Sequence, residues 1–460
     1  MVYTALTMTS STLLKYAMAA AALLPAAHLF AAVSFSGSQR EIIEIAPDKN
    51  SGLENIFVVY DTSAVSMTYT AASSSVTWYR YSNLGGGFAE EISGISRSGN
   101  EYTLANVEGD MGYIIDDGTD RHCFWVVNYL PHTLELHSAA PAAEQQCENT
   151  AIVVNGSGDA IHYYSVTGQQ RTVDRQIEVK YDTQVWNEDN TQYEQQEAVK
   201  SFEYLRSELS ITPPVYCRTY FHVSGDRFLR QWGMAQEVES ELFEPKAIEV
   251  YTTAEQQQDS EGDEDKKSNQ ISAGDTGLGG SAPAEISFRS YTTDGAIHHE
   301  WQMANDMEFE DITYRITDRD LDYTFMQQGT VYVRYVGSNS DGSCEQYGDT
   351  YTVTIGDSEL KCPNAFSPGA SEGVNDEWKV SYRSIIDFEC WIFDRYGNEI
   401  FHFTDPEQGW DGKRNGKLVK SGVYYYVINA TGADGKKYKK SGDINILRYK
   451  TYGNGQSAEE

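Results

Sequence analysis

The chain has 460 residues, with 35 Lys+Arg against 68 Asp+Glu, for a formal net charge of −33. An acidic surplus of that size repels phosphate backbones and argues against nucleic acid as a partner. Tyr is abundant (32 residues), Gly and Thr are frequent and helical periodicity is scarce, which points to an all-β class with too many residues for one sandwich. The charge is also uneven: residues 361–460 hold 14 basic and 14 acidic side chains, so the first 360, with 21 and 54, carry the whole surplus. Solubility is the plain reason for such a body; divalent cations or a basic partner are the sharper ones.

Residues 1–32 hold one positive charge, Lys15, then the apolar run Ala17 to Phe30 and small residues at Ala31 and Ala32. That pattern is a secretory signal peptide. Pro25 and His28 interrupt the run, which is short for a membrane span, and no Cys stands near the cleavage site to carry a lipid. A first unit, 33–140, is expected to be an immunoglobulin-like β domain. Its central strand is Val76-Thr77-Trp78-Tyr79-Arg80-Tyr81, with Trp78 as core aromatic, and Cys123-Phe124-Trp125-Val126-Val127 is a later core strand. No Cys precedes Trp78, so only the architecture is argued.

A second β unit, 141–255, opens at Cys147 with the strand Ala151 to Val154 and closes with Ala247 to Tyr251. Within it Ala198, Phe202, Leu205 and Leu209 fall on one helical face and Thr191-x-x-Glu194 resembles a capping box, so helix and irregular strand both stay open. Residues 256–282 read as a linker, acidic from Asp259 to Asp265 and Gly-rich from Gly274 to Gly280. Residues 283–357 alternate with period two through Glu300-Trp301-Gln302, Tyr323-Thr324-Phe325, Val331 to Val336 and Tyr351 to Ile355. This unit resembles a polycystic-kidney-disease (PKD)-type or similar immunoglobulin-like repeat.

The last unit, 358–450, is followed by a polar, disordered tail, 451–460. Short runs of Val, Ile, Tyr and Phe alternate there with Gly, Asn and Asp, the pattern of strands joined by tight turns. A hairpin is expected from Phe393 to Phe401 around Gly397-Asn398, with further turns at Asn415-Gly416 and Asp434-Gly435. The run Val423 to Ile428 is too apolar for an edge strand, and Pro363 and Pro368 belong to the lead-in. In order, the unit shows Pro363-Asn364-Ala365-Phe366-Ser367-Pro368, Asn375-Asp376, Phe393-Asp394-Arg395-Tyr396-Gly397, Trp410-Asp411-Gly412, Gly422-Val423-Tyr424-Tyr425 and Leu447-Arg448.

Taken together these residues resemble the gliding-motility-associated C-terminal domain, a sorting module (type B) of the type IX secretion system of Bacteroidetes. The resemblance implies a small β-sandwich and two export steps, through the periplasm and then to the cell surface or outer membrane. It implies the type IX translocon and an associated outer-membrane barrel protein as partners. This chain departs from the family at Gly369-Ala370-Ser371-Glu372, where a shorter turn is usual, so a calcium-like role for Asn375 and Asp376 is not expected.

Six cysteines in an exported chain suggest disulfides, and sequence alone leaves many connectivities open. The expected pairs are Cys147 with Cys217 and Cys362 with Cys390, leaving Cys123 and Cys344 as buried thiols or paired across domains. No CxxC is present, so a zinc site is not expected. Other motifs fail on geometry. His299-Glu300-x-x-Met303 lacks the second His of a zinc-protease helix and lies in an expected strand. Gly94-x-Ser96-x-Ser98 lacks the last Gly of a nucleophile elbow, and Gly277-x-Gly279-x-x-Ala282 precedes a strand where a dinucleotide fingerprint follows one. Asp116-Asp117-Gly118-Thr119-Asp120 and Asp318-x-Asp320-x-Asp322 read as turn residues by default, with calcium as the only cofactor open. Lys436-Lys437-Tyr438-Lys439-Lys440 is a solvated hairpin arm or a contact for the translocon or anionic lipopolysaccharide.

No nucleophile, base and orienting group occur in one arrangement. The expectation is therefore a non-catalytic, multidomain surface protein whose sandwiches act as spacers or bind a surface glycan or protein. The alternatives are a component of the secretion or envelope machinery that uses the C-terminal domain for docking, or a divergent polysaccharide-active enzyme.

Overall fold

A computed structural model describes residues 33–71, 75–257, 269–271, 277–368 and 375–447. The signal-peptide segment, the acidic run Asp259 to Asp265, Gly369 to Val374, Arg448 and the tail lie outside the described residues. The architecture is all-β, a series of mainly antiparallel sandwiches, and the one α-helix among the described residues is the short Arg227–Gln231. No helix among them is long and apolar enough to cross a membrane.

The first unit packs a four-stranded sheet on a six-stranded one. At the centre of the larger sheet, Arg121–Asn128 lies between Asn55–Val59 and Met111–Asp116. One face, with Phe57, Val59, Trp78, Tyr113, Phe124 and Val126, is covered by the smaller sheet. The other face, with Ile56, Val58, Tyr81, Ile114, Trp125 and Val127, shares a single core with Ile152, Val179, Ile211 and Phe221 of the second unit. A sheet covered on both faces needs apolar side chains at every position, which is why Cys123 to Val127 is a continuous run and does not alternate.

The second unit begins earlier than expected, because Glu135–Pro141 pairs with Thr150–Ser157 and that strand with Glu208–Ile211. Its second sheet is dominated by a long hairpin, Ile177–Asn187 with Gln192–Phe202, in unbroken register from Ile177↔Phe202 to Asn187↔Gln192. The helix alternative at Ala198 to Leu209 is therefore set aside. Thr191 takes φ 51° in the hairpin turn, where Glu194 accepts from the side chains of Asn187, Asn190 and Gln192. Leu205 and Leu209 belong to the following loop and strand.

Two boundaries of the third unit also move. Val250–Gln256 pairs with Ala284–Thr292, so it belongs to this unit and not to the end of the second. Leu278–Gly280, assigned to the linker, pairs in parallel with Tyr351–Ile355. Between these strands, Asn269 to Ile271 reaches the C-terminal unit, where Ile271 N donates to Tyr382 O and Tyr382 N to Asn269 O. Phe288, Trp301, Met303, Val333 and Tyr335 fill the third core.

The disulfide pairing differs from expectation. Cys147 is bonded to Cys344, so the bridge ties the second unit to the third across 197 residues of chain. Cys217 is instead a buried thiol, pushed up to about 11 mainly by burial. Cys362 and Cys390 are also thiols. Cys390 lies wholly inside the C-terminal core, which drives its ionisation far upward, and Cys362 lies against that core beside the Tyr426 hydroxyl. Beside the bridge, Trp186 at the hairpin tip packs on Tyr251 and Tyr291 of the third unit, with ring centroids 4.1 and 5.3 Å away. Gln184 and Asp294 exchange two hydrogen bonds across the same junction.

Candidate functional site in the C-terminal domain

The C-terminal unit is a five-stranded sheet in which Gly422–Gly432 lies between Ile385–Phe393 and Lys437–Ile446, with Ala365–Phe366 and Glu399–Phe403 at the edges. The apolar run Val423 to Ile428 is thus mid-sheet. Tyr424 and Ile428 face the core, while Val423, Tyr425 and Val427 are the outward positions of the same strand and remain exposed.

The motif residues divide by role. Trp410 and Trp378 are fully buried and exchange backbone hydrogen bonds, Trp378 N to Trp410 O at 2.9 Å and the reverse at 3.0 Å. Trp378 Nε1 donates to Pro363 O and Trp410 Nε1 to Lys413 O, so each indole satisfies its polar edge by fixing a loop. Phe366 and Tyr424 flank Trp410, with ring centroids 5.5 and 5.3 Å away.

Gly412 holds φ 74° beneath this cluster, and a Cβ there would lie 3.1 Å from Pro368 Cγ and 3.3 Å from Phe366 Cζ. The positive φ favours glycine, and any Cβ would require these ring atoms to give by a few tenths of an ångström. Asp411 accepts from Lys413 N and Nζ, closing the turn that presents Gly412. Pro363 and Pro368 lie outside the strand Ala365–Phe366, Asn364 O receives Asn445 N, and Asn375, at φ 56°, receives Ser367 N on its carbonyl. Asp376 is half-buried beside it.

The turn after Phe393 is organised by Asp394. Its carboxylate accepts from Tyr396 N, Asn398 N and Asn398 Nδ2, and these hydrogen bonds, with the Asn398 side chain foremost, hold it below the usual carboxylate range. Gly397 supplies φ 81°, and Arg395 is exposed with its guanidinium over Tyr396. Asn415 and Gly416 both take positive φ, 51° and 74°, as a two-residue hairpin requires. Gly422, at φ 150°, opens the central strand, and Leu447 is exposed at the end of the last one. In the lysine arm, Lys437 and Lys439 are exposed, Lys440 Nζ donates to Leu360 O and Lys436 lies over Tyr438.

Clusters elsewhere that resemble chemistry are occupied by structural tasks. Asp117 is buried in the turn after Met111–Asp116. It accepts from Asp120 N, Thr119 Oγ1, Thr119 N and the Tyr69 hydroxyl, and the backbone donor Asp120 leads in pulling its carboxyl far below the usual range. Asp320 receives Ser290 N and Asp322 pairs with Arg289 at 2.8 Å. Among the described residues no group of three or more His, Cys, Asp and Glu is arranged to hold a metal ion. His299 sits in the strand His298–Ala304 and bonds the Tyr335 hydroxyl, while Glu300 pairs with Arg315, so the zinc-protease likeness has neither helix nor ligands. Ser96 and Ser98 lie on an exposed edge strand.

Sequence reasoning missed two polar anchors. Trp378 stands between Glu377 and Lys379 with no motif to mark it. Arg175 and Asp226 form a wholly buried ion pair, Nη2 to Oδ2 at 2.8 Å, with Arg175 also donating to the carbonyls of Asp159 and His132. Arg175 and Asp226 stand 51 residues apart in the chain, which leaves no local signal.

Residues 360–446 match the CHU_C type IX secretion signal domain, and residues 139–240 match a fibronectin type III domain (Fn3_FA). The C-terminal segment is thus a type IX secretion signal domain, and the second unit is of the fibronectin type III kind. No curated protein matches the chain. Among solved structures, similarity is found to a tetra-tandem repeat in the extending region of a large adhesion protein, at 11% identity, covering 84% of this chain and 96% of that one, with a TM-score of 0.20. Similarity also extends to fibronectin(III)-like modules of Clostridium thermocellum CbhA, at 13% identity, 40% and 98% coverage and a TM-score of 0.17. A 1.5-MDa bacterial ice-binding adhesin gives 12% identity, 68% and 98% coverage and a TM-score of 0.20.

Proposed function

We propose that this chain is a non-catalytic surface protein exported by the type IX route, its C-terminal domain serving as the address and its β units as spacer and interaction modules. The observation that carries the reading is the C-terminal domain itself. Its matched residues build one closed structure around Trp378, Trp410 and Gly412, distinct in charge from the acidic body it follows. The body supports a non-catalytic role because its carboxylates and histidines that resemble catalytic clusters are bound to backbone donors, arginines or a tyrosine. Ligand specificity then belongs to exposed loops and strand edges. Partners on this reading are the type IX translocon and an outer-membrane barrel protein.

A sufficiency experiment tests it. Residues 358–460 are fused behind a signal peptide and an inert periplasmic reporter in a host with type IX secretion. The reporter is expected at the cell surface, sensitive to external protease, and is expected to stay in the periplasm when Trp410→Ala is introduced. A reporter retained in the periplasm with the intact domain would overturn the address reading.

A further inference from the structure

Gln192–Phe202 is the outer strand of the order that runs from it through Ile177–Asn187 and His222–Gly225 to Gln236–Glu239. Eleven residues long, it has no proline and no bulge; its charges are Glu194, Glu197 and Lys200, and only its first residues lie beside Ala284–Thr292 of the third unit. Its outward backbone groups meet no backbone partner among the described residues. Val199 is more than half exposed.

The unbroken register has a geometric consequence. Backbone N–H and C=O groups that point away from Ile177–Asn187 all belong to residues of one parity along the strand. A second strand running antiparallel to it can pair only in registers that match residues of like parity. Two copies of this same strand meet that condition when Glu197 lies on the two-fold axis. Gln196 then faces Ala198, Gln195 faces Val199 and Glu194 faces Lys200, each twice.

The Glu194–Lys200 pairs put opposite charges directly across from one another. Glu194 is held ionised by the side chains of Asn187, Asn190 and Gln192, and Lys200 has no ion-pair partner among the described residues. The two Glu197 carboxylates that meet on the axis are each already paired to Lys180 at 2.7 Å. Registers centred one residue away in either direction lose both Glu194–Lys200 matches.

We propose that Gln192–Phe202 is an interaction edge whose partner is the same strand of a second copy of this chain, joined antiparallel across a two-fold axis at Glu197. The result is one continuous sheet through both molecules and an isologous contact. It goes beyond the export reading and does not depend on it.

Sedimentation velocity of the mature chain over a wide concentration range tests the pairing. A reversible monomer–dimer equilibrium is expected. Lys200→Glu is expected to weaken it about tenfold, because two attractive pairs become repulsive, and Glu194→Lys with Lys200→Glu is expected to restore it. Glu197→Gln is expected to strengthen it by removing the like charges on the axis. Circular dichroism melting checks that each variant is folded; should the Lys200 variant fail to fold, the Glu197 variant decides alone. A monomer at every concentration overturns the proposal. So does a dimer that Lys200→Glu leaves unchanged, that the charge swap fails to restore, or that Glu197→Gln fails to strengthen.

Discussion

The body and the C-terminal domain are both built from strands and tight turns, yet they spend their polar residues differently. In the body, Asp117, Asp226, Asp322 and Glu300 are each committed to backbone donors, a tyrosine or an arginine, and the surplus carboxylates remain on the surface. In the C-terminal domain, net charge is absent and several identifying residues gather around two buried indoles and a glycine held at positive φ in a tight space. A sequence pattern is recognisable where geometry leaves few residue choices, and it fades where any acidic or β-branched residue would serve. That is why the address of this chain is easier to read than its ligand.

Breaking the body most severely should require only one residue. Arg175→Ala leaves Asp226 charged and buried without its partner, a loss of about 3–5 kcal/mol. Calorimetry is expected to show the first two units melting together at a much lower temperature, because they share one core, with the C-terminal transition unmoved. The mirror-image experiment is Trp410→Ala, which removes a fully buried aromatic and costs about 3–5 kcal/mol in its own domain. It is expected to erase the C-terminal transition and leave the body's in place. A single transition shifting as a whole in either variant would contradict two independently built regions.

The disulfide sharpens the comparison within the body. Cys344→Ser is expected to lower the stability of the second and third units by about 2–4 kcal/mol, and a reducing agent is expected to do the same to the native chain but not to the variant. Faster limited proteolysis at the junction is the readout. The Trp186 contacts and the Gln184–Asp294 bonds still join the two units in the variant, so a loosened junction with both units folded is expected.

The smallest effect concerns pH. Asp117's folded carboxyl is depressed, so its contribution to stability is complete above the unfolded value of about 3.9 and is lost as pH falls through the folded one. Asp117→Asn should therefore melt below the native chain at neutral pH, with a gap that stays constant down to mildly acidic pH and closes in strong acid. A gap that widens on acidification would mean the carboxylate is not the stabilising form.

Much of the fold was legible from local pattern. Trp78 and Phe124 to Val127 lie in core strands, and Asn415-Gly416 forms its hairpin because two positive φ angles suit those residues. What stayed hidden depends on contacts distant in sequence. The boundary at Val250 moved because that strand's partner, Ala284–Thr292, lies beyond the acidic segment. Cys147 found Cys344 because two sandwiches meet there, something spacing cannot encode. The stretch around Ala198 read equally as helix because an exposed edge strand has no buried face to impose period two.

The central claim is that the C-terminal domain addresses this body to the cell surface. The most direct measurement is accessibility of the chain to external protease on intact cells, comparing the full chain with a truncation after Asp357 in a host with type IX secretion. The account predicts a full chain that is cleaved from outside and a truncated one that is protected in the periplasm. Equal accessibility of the two, or a full chain protected throughout, would contradict it.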